Sequence, residues 1–391
     1  MWNQAVFIPA SQEFDQLPSC IESLAAISQQ TLLVIVLNAR EDAKEAIHED
    51  NQKLAQWLLQ YPNHIVRDNI THIEYPNIDI HLIDHYTPSL RFASNQGVGT
   101  ARDIGSRYIS RLHKERKLHS PWIRSTDADA RFDPDYLNDI PHHMGTAVFP
   151  YLHVSTTKLD PPSTSLQIYE SFLRYYVLGL HFSGSPFAFP TIGSTIAIHV
   201  QTYQKSHGFP HRMAGEDFYL LAKSSKIAPV YYLKQAPILL IDRPSARVPF
   251  GTGPGTRKIE EDGQKKEVYH PEIFSLLKKW IHILNTARDE DLIARLSEIA
   301  PLFSPLKKLP GLLKQRASGA RVIQRRHEWF DAFRTRKWVH HMRDQKYGVI
   351  PYQDAYRIAP FVPKDSKEDL WTLLLKMRDI EEQSIGKNGL G

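Results

Sequence analysis

WIRSTDADARFDPDY, residues Trp122 to Tyr136, is the stretch from which the fold can be read. Trp122-Ile123-Arg124 reads as the end of a strand, because an apolar, β-favouring run stops at a polar cluster. Asp127 and Asp129 follow, separated by Ala128. In an extended segment alternate side chains point the same way, so both carboxylates face one site at the mouth of a sheet. Two such charges repel unless solvent separates them or a divalent cation sits between them and a polyanion, and hard oxygen ligands suit Mg²⁺ or Mn²⁺. The plain alternative is an acidic turn, with Asp133-Pro134-Asp135 as the capped start of a helix.

Upstream, Ala5-Val6-Phe7-Ile8 is an apolar run ended by Pro9-Ala10-Ser11. Leu17 to Ile27 carries apolar residues at helical spacing, and Leu32 to Leu37 is a second apolar run that stops at Asn38. Continuous hydrophobicity predicts strands buried on both faces, as in a parallel sheet covered by helices. The resulting βαβ unit places Pro9, Ala10, Ser11 and Asn38 at the carboxyl ends of strands, where such sheets gather ligands. A helical stripe (Ile47, Leu54, Trp57, Leu58) and a third strand at Ile78 to Ile83 come next. Gly97 and Gly99 then open a helix that carries Arg102. Glycines there let backbone N–H groups approach an anion, the helix dipole favours negative charge, and Arg102 adds a cation. The plain alternative is a glycine turn with a surface arginine; the dinucleotide fingerprint is excluded, since its third glycine is missing.

Downstream, Ala147 to Leu152 reads as a strand, Leu166 to Leu180 as a helix with a core stripe, and Thr191 to Ile198 as a strand opening with small residues. Gly208-Phe209 and Gly215-Glu216-Asp217 lead into a helix. Two short strands follow, at Val230 to Leu233 and Ile238 to Ile241. Asp242, Arg243 and Arg247 then lie with Gly251, Gly253 and Gly255 in a segment that reads as a basic, mobile loop. From about Tyr269 the pattern is helical, with stripes such as Ile273, Leu277, Trp280 and Leu284.

A chain of 391 residues is long for one compact domain, so two units are expected. Cys20 stands alone, which excludes an intramolecular disulfide framework and fits a reducing compartment. The N-terminus lacks a basic lead and a long apolar core, and no apolar run approaches the roughly 20 residues of a membrane helix. A cytoplasmic location follows as the expectation. Between Lys307 and Lys346 twelve Lys and Arg face only Glu328, Asp331 and Asp344, so the net charge of +5 is concentrated there.

The order of these motifs resembles the GT-A glycosyltransferases, most closely glycosyltransferase family 2, over residues 4 to 250. Pro9-Ala10, Asn38, Gly99-Thr100-Ala101-Arg102-Asp103, Asp127-Ala128-Asp129, Gly193-Ser194, Gly208-Phe209 and Glu216-Asp217 stand in the family's sequence of motifs. Asp103 replaces the usual Asn, Ser194 the second Gly, and the insert before the third strand is long. The resemblance implies an α/β, Rossmann-like nucleotide-diphospho-sugar transferase domain over 1–255 and a mostly helical C-terminal extension over 256–391. It also implies a hexosyl- or N-acetylhexosaminyl-transferase. Asp127 would contact the nucleotide ribose or the metal, and Asp129 would hold Mg²⁺ or Mn²⁺ against the donor diphosphate. Asp217 would be the general base of an inverting transfer to an acceptor hydroxyl, and Glu216 would orient the acceptor or the helix start. Arg243 and Arg247 would close over the diphosphate. Asp242 falls where a third metal ligand stands in many such enzymes, with His270 as a rival.

The donor expected first is a UDP-sugar, and the acceptor a carbohydrate, lipid-linked or other hydroxyl compound. Two alternatives share the fold, a retaining transferase and a nucleotidyltransferase, and in both Asp217 is not the base. A third is a non-catalytic protein binding membrane or nucleic acid through the basic tail. Trp329, Phe330, Phe333 and Trp338 interleave there with Arg325, Arg326, Arg334, Arg336 and Lys337. Packing of these aromatics on the catalytic domain is the plainer expectation; peripheral contact of 307–346 with an anionic membrane comes next, and no nucleic-acid partner is expected.

Overall fold

In the computed structural model the chain forms two compact units, Met1–Leu166 with Thr191–Gly255, and Gln167–Pro190 with Thr256–Gly391. The structure describes residues 1–28, 30–141, 143–243, 251–313, 320–364 and 369–385. His142 and Arg247 lie outside the described residues.

The first unit opens with β1 (Gln4–Ala10), α1 (Leu17–Ile27), β2 (Thr31–Asn38), α2 (Glu45–Leu58), β3 (His64–Arg67), β4 (Ile70–Tyr75) and β5 (Ile78–His85). It continues through α3 (Val98–Lys114), β6 (Trp122–Ser125), β7 (Ala130–Arg131), β8 (Thr146–Val148) and β9 (Tyr151–Val154). After α4 (Thr164–Phe182) come β10 (Ile196–His199), α5 (Val200–Lys205), α6 (Glu216–Ser224), β11 (Val230–Tyr232) and β12 (Ile238–Ile241).

Nine strands form one sheet in the order β11-β8-β10-β6-β1-β2-β5-β4-β3. Strands β6, β1, β2 and β5 are parallel neighbours. Every residue of β1 and β2 is buried, as continuous hydrophobicity requires of strands covered on both faces. Alternate residues serve two cores. Val6, Ile8, Leu33 and Ile35 pack with Leu17, Ile21 and Leu24 of α1 and Leu54 of α2. Ala5, Phe7, Val34 and Val36 pack with Ala101, Ile109 and Leu112 of α3.

The chain runs outward from β1 to β2 and β5, then returns to place β6 on the other side of β1. Between β1 and β6 the sheet therefore reverses its winding, and the carboxyl ends of these two strands flank a crevice in which open α/β sheets bind ligands.

Three local expectations are corrected. The apolar run at 147–152 is two strands, because Pro150 donates no N–H to a ladder; β8 stays in the large sheet and β9 joins β12 and β7 in a second one. The insert before the third strand contains the antiparallel hairpin β3–β4, whose mixed polar sequence and exposed β3 conceal it from pattern reading. The glycines at 253 and 255 lie not in a loop but inside α7 (Thr252–Glu261).

The second unit holds β13 (Glu267–Tyr269), α8 (Glu272–Thr286), α9 (Asp289–Ile299), α10 (Leu309–Leu313), α11 (Ala320–Trp329) and α12 (Ala332–Met342). β14 (Val349–Pro351), α13 (Tyr352–Ile358) and α14 (Leu370–Ile385) complete it. Residues of α4 from Gln167 onward belong here: Tyr175 and Leu178 pack with Phe274, Leu277 and Trp280 of α8. Arg174, fully buried, binds Glu170 at 2.6 Å and also Glu381 of α14. The basic tail reads differently in three dimensions. Trp329, Phe330 and Trp338 fill this unit's own core around Trp280, and buried Arg326 donates to the Leu284 carbonyl and to Asp289. Of the four aromatics only Phe333 is exposed, with Lys337 Nζ 4.7 Å from its ring centroid. No helix among the described residues is long and apolar enough to cross a membrane.

Candidate active site

Asp127 is separated from the end of β6 by Thr126 alone, and Thr126 donates its N–H to the Phe7 carbonyl, which holds the Asp127 segment beside β1. Beneath it lies Arg102, 3% exposed, on the first turns of α3. Its Nη1 donates to Ser125 Oγ at 2.6 Å, Nη2 to Asp127 Oδ1 at 2.8 Å and Nε to Glu216 Oε1 at 2.8 Å. Ser125 Oγ in turn donates to the Gly193 carbonyl. Burial works against the guanidinium charge, but Asp127 and Glu216 outweigh it and push the Arg102 pKa above its ordinary value. The three directions of the fork are thus spent within the protein, which makes Arg102 a bridge between the strand end at 127 and the start of α6.

Asp129 is held by a different device. The Ile241 N–H donates to the Asp129 carbonyl, and β12 runs antiparallel to β7, so the end of β12 lies beside the start of β7. That pairing brings Arg243 to Asp129: Nε donates to Asp129 Oδ2 at 2.8 Å and Nη2 to Glu13 Oε1 at 2.9 Å. Here too burial opposes the cation, and Asp129 and Glu13 together hold its pKa above the usual value. Asp242 caps the segment before α4, accepting the Ser163 N–H at 2.8 Å. His270 belongs to the second unit, where its Nδ1 accepts the Glu272 N–H.

Glu216 and Asp217 open α6 after Gly215, whose φ of 74° is left-handed. Glu216 is buried against Arg102, whereas Asp217 is only half-buried and accepts the Phe218 N–H at 2.7 Å. Burial first, then the charge of Glu216, raise the Asp217 pKa to about 7; the Phe218 N–H and Arg102 oppose the rise. A carboxyl balanced between its two forms near neutrality can accept a proton from a bound hydroxyl.

The first loop is shaped by amides rather than charges. Asn38 Nδ2 donates to the Ala10 and Val36 carbonyls, tying the ends of β1 and β2. Asn51 of α2 donates to the Asn38 carbonyl and accepts the Gln12 N–H. Pro9 and Ala10 are buried in β1, and Ser11 is half-buried just beyond it.

Gly99 has a role that differs from exposure to an anion. Its N–H donates to the Arg212 carbonyl, and a Cβ there would stand 2.3 Å from the Pro210 carbonyl oxygen and 2.9 Å from Arg212 N. Gly99→Ala is expected to destabilise the protein by about 1–3 kcal/mol through overpacking, more than the ~1 kcal/mol that alanine adds in helix propensity. Chemical denaturation checks it; unchanged stability would mean that the 210–212 backbone yields freely.

The crevice therefore gathers Glu13, Asp127, Asp129, Glu216 and Asp217 against Arg102 and Arg243, five carboxylates to two guanidiniums. Side chains of Asp127 and Asp129 are 34% and 22% exposed, so both reach solvent. The described residues contain no cluster of three or more His, Cys, Asp or Glu able to cage a metal. Two solvent-reaching carboxylates nevertheless suit Mg²⁺ or Mn²⁺, ions often bound through one or two carboxylates with water completing the shell. Cys20, beneath Asp127 with Sγ 3.6 Å from its carbonyl oxygen, is no nucleophile, since burial drives its pKa up. Sequence reading missed Glu13, Ser125 and Asn51. Each is an ordinary polar residue whose part depends on a partner far along the chain.

No family model matches the chain. No curated protein matches it. Among solved structures, the mannosyltransferase PcManGT from Pyrobaculum calidifontis, in complex with GDP-Man and Mn²⁺, is similar over 88% of this chain and 87% of its own. That similarity has 11% sequence identity and a TM-score of 0.37, which is too slight to assign either fold or activity.

Proposed function

We propose that the chain is an inverting, divalent-metal-dependent glycosyltransferase that moves a sugar from a nucleotide-diphosphate sugar to an acceptor hydroxyl. The observation that carries this reading is the meeting of Asp127 and Glu216-Asp217 across Arg102, at the winding reversal of a parallel sheet. Asp127 and Asp129 would hold Mg²⁺ or Mn²⁺, whose positive charge stabilises a departing nucleoside diphosphate. Asp217 takes the proton of the acceptor hydroxyl as its oxygen attacks the anomeric carbon. The new bond forms between that oxygen and the anomeric carbon while the bond from the anomeric carbon to the diphosphate oxygen breaks, and the electron pair leaves with the diphosphate. One displacement from the opposite face inverts the configuration. Glu216, fixed by Arg102, keeps the start of α6 in place.

Arg243 pairs with Asp129 and Glu13. A cation held by Asp129 would compete with Arg243 for that carboxylate, and the Arg243 guanidinium, a planar fork well shaped for a diphosphate, would then meet the donor. The loop from Pro9 to Ser11 and Asn38 borders the nucleotide, and a UDP-sugar is the first donor to test.

A thermal-shift series with UDP-, GDP-, TDP- and CMP-sugars, with and without Mn²⁺, tests the reading. One nucleotide-diphosphate sugar is expected to raise the melting temperature only when metal is present, by about 3 kcal/mol of stabilisation at a hundred times its Kd. No shift with any donor under either condition would refute it.

A further inference from the structure

We infer that Asp103 is a positioning residue for Asp217, acting through the loop from Gly208 to Gly215; the inference rests on the transferase reading above. Asp103 follows Arg102 on α3 and is 2% exposed. Four donors converge on its carboxylate. Oδ1 accepts the Tyr203 hydroxyl and, at 3.2 Å, the Phe209 N–H. Oδ2 accepts Arg107 Nε at 2.6 Å and lies 2.9 Å from His211 Nε2. Two of these partners, Phe209 and His211, belong to the loop that leads to Glu216 and Asp217. Tyr203 lies within α5, just before it.

The loop is moulded to this carboxylate. Gly208 has a φ of 75°, and a Cβ there would stand 2.3 Å from Asp103 Oδ1. Further along, the Gly99 N–H holds the Arg212 carbonyl, and Arg102 holds Glu216. Three residues on one face of the first turns of α3 thus grip the loop and the helix start after it: Asp103 at 209 and 211, Gly99 at 212, Arg102 at 216. Asp103 touches neither Asp127 nor Asp129, which stand on the strand side of the crevice. Its effect should therefore fall on the base and spare the donor. The carboxylate matters because an asparagine, with one acceptor oxygen and an NH₂ group, cannot accept from all four donors.

Asp103→Asn is the principal test, with Tyr203→Phe as a milder variant that removes one donor and keeps the carboxylate. Hydrogen exchange at amides 209–216 is expected to accelerate about ten- to hundredfold in Asp103→Asn, from loss of charged hydrogen bonds, while amides 122–131 stay as in wild type. Given donor and acceptor, kcat is expected to fall about 10²-fold from misplacement of the base, with donor KM and calorimetric donor affinity within about twofold of wild type, a margin set by the context-dependence of single contacts. Transfer should fall more than hydrolysis of the donor by water. Tyr203→Phe should move every readout the same way by less. Unchanged loop exchange or unchanged kcat in both variants overturns the inference, as does donor affinity that drops in step with kcat. A wild-type chain that binds no nucleotide sugar sinks the transferase reading instead, and loop exchange then decides by itself whether Asp103 holds the segment.

Discussion

Replacement of Asp217 by asparagine is expected to lower kcat by about 10²- to 10⁴-fold, the usual contribution of a positioned general base, while donor affinity holds. The pH profile should carry the same signature. Burial and Glu216 raise the Asp217 pKa to about 7, and a base works only when deprotonated, so activity in the wild type should climb as pH rises through 7. The variant should lack that limb. Stability runs in the opposite sense. A folded-state pKa above the unfolded one means that the native protein binds the extra proton, so this stability is present at low pH and lost as pH rises toward 7. Asp217→Asn should therefore unfold at a higher temperature than wild type at pH 8, even as it loses activity. Full transfer activity in the variant would remove Asp217 from the mechanism.

Asp129→Ala is the second large effect. Loss of one of the two carboxylates proposed to hold the metal should forfeit several kcal/mol of leaving-group stabilisation, on the order of 10³-fold in kcat/KM. Mn²⁺ titration followed by electron paramagnetic resonance supplies a readout independent of turnover: affinity in the presence of a nucleoside diphosphate should collapse. The substitution also leaves Arg243 with Glu13 as its acidic partner. Since Glu13 still offsets the charge, the fold should persist, and a variant that binds Mn²⁺ and donor as wild type does would place the metal elsewhere.

Much of this was legible before any coordinates. The unbroken apolar runs of β1 and β2 announced strands covered on both faces, and their full burial follows from the same property. The chain order of Pro9-Ala10, Asn38, Asp127-Ala128-Asp129 and Glu216-Asp217 put these residues at or just past strand ends and at a helix start, and the structure brings Asp127 and Glu216 together through Arg102. The hairpin β3–β4 was not legible, since an exposed edge strand buries nothing and so leaves no period in the sequence. Nor was the membership of α4 in the second unit, because a helix rich in apolar residues does not say which neighbour it covers. Burial of the aromatics among the cations of 325–338 was the plainer expectation and Trp329, Phe330 and Trp338 are core, but the core they fill is the second unit's own, a choice of partner no short stretch records.

Local chemistry in the chain determined which segments become strands, which helices begin with acids or glycines, and which carboxylates stand at their ends; propensity, capping and hydrophobic period act over a few residues and need no partner. Tertiary structure alone decided what each charge does. Arg102 reaches Glu216 across 114 positions, and Arg243 reaches Glu13 across 230, so one guanidinium became a buried bridge and the other a half-open clasp on Asp129. Burial sets the energy of such pairs, and burial is a property of the packed chain that no short window contains.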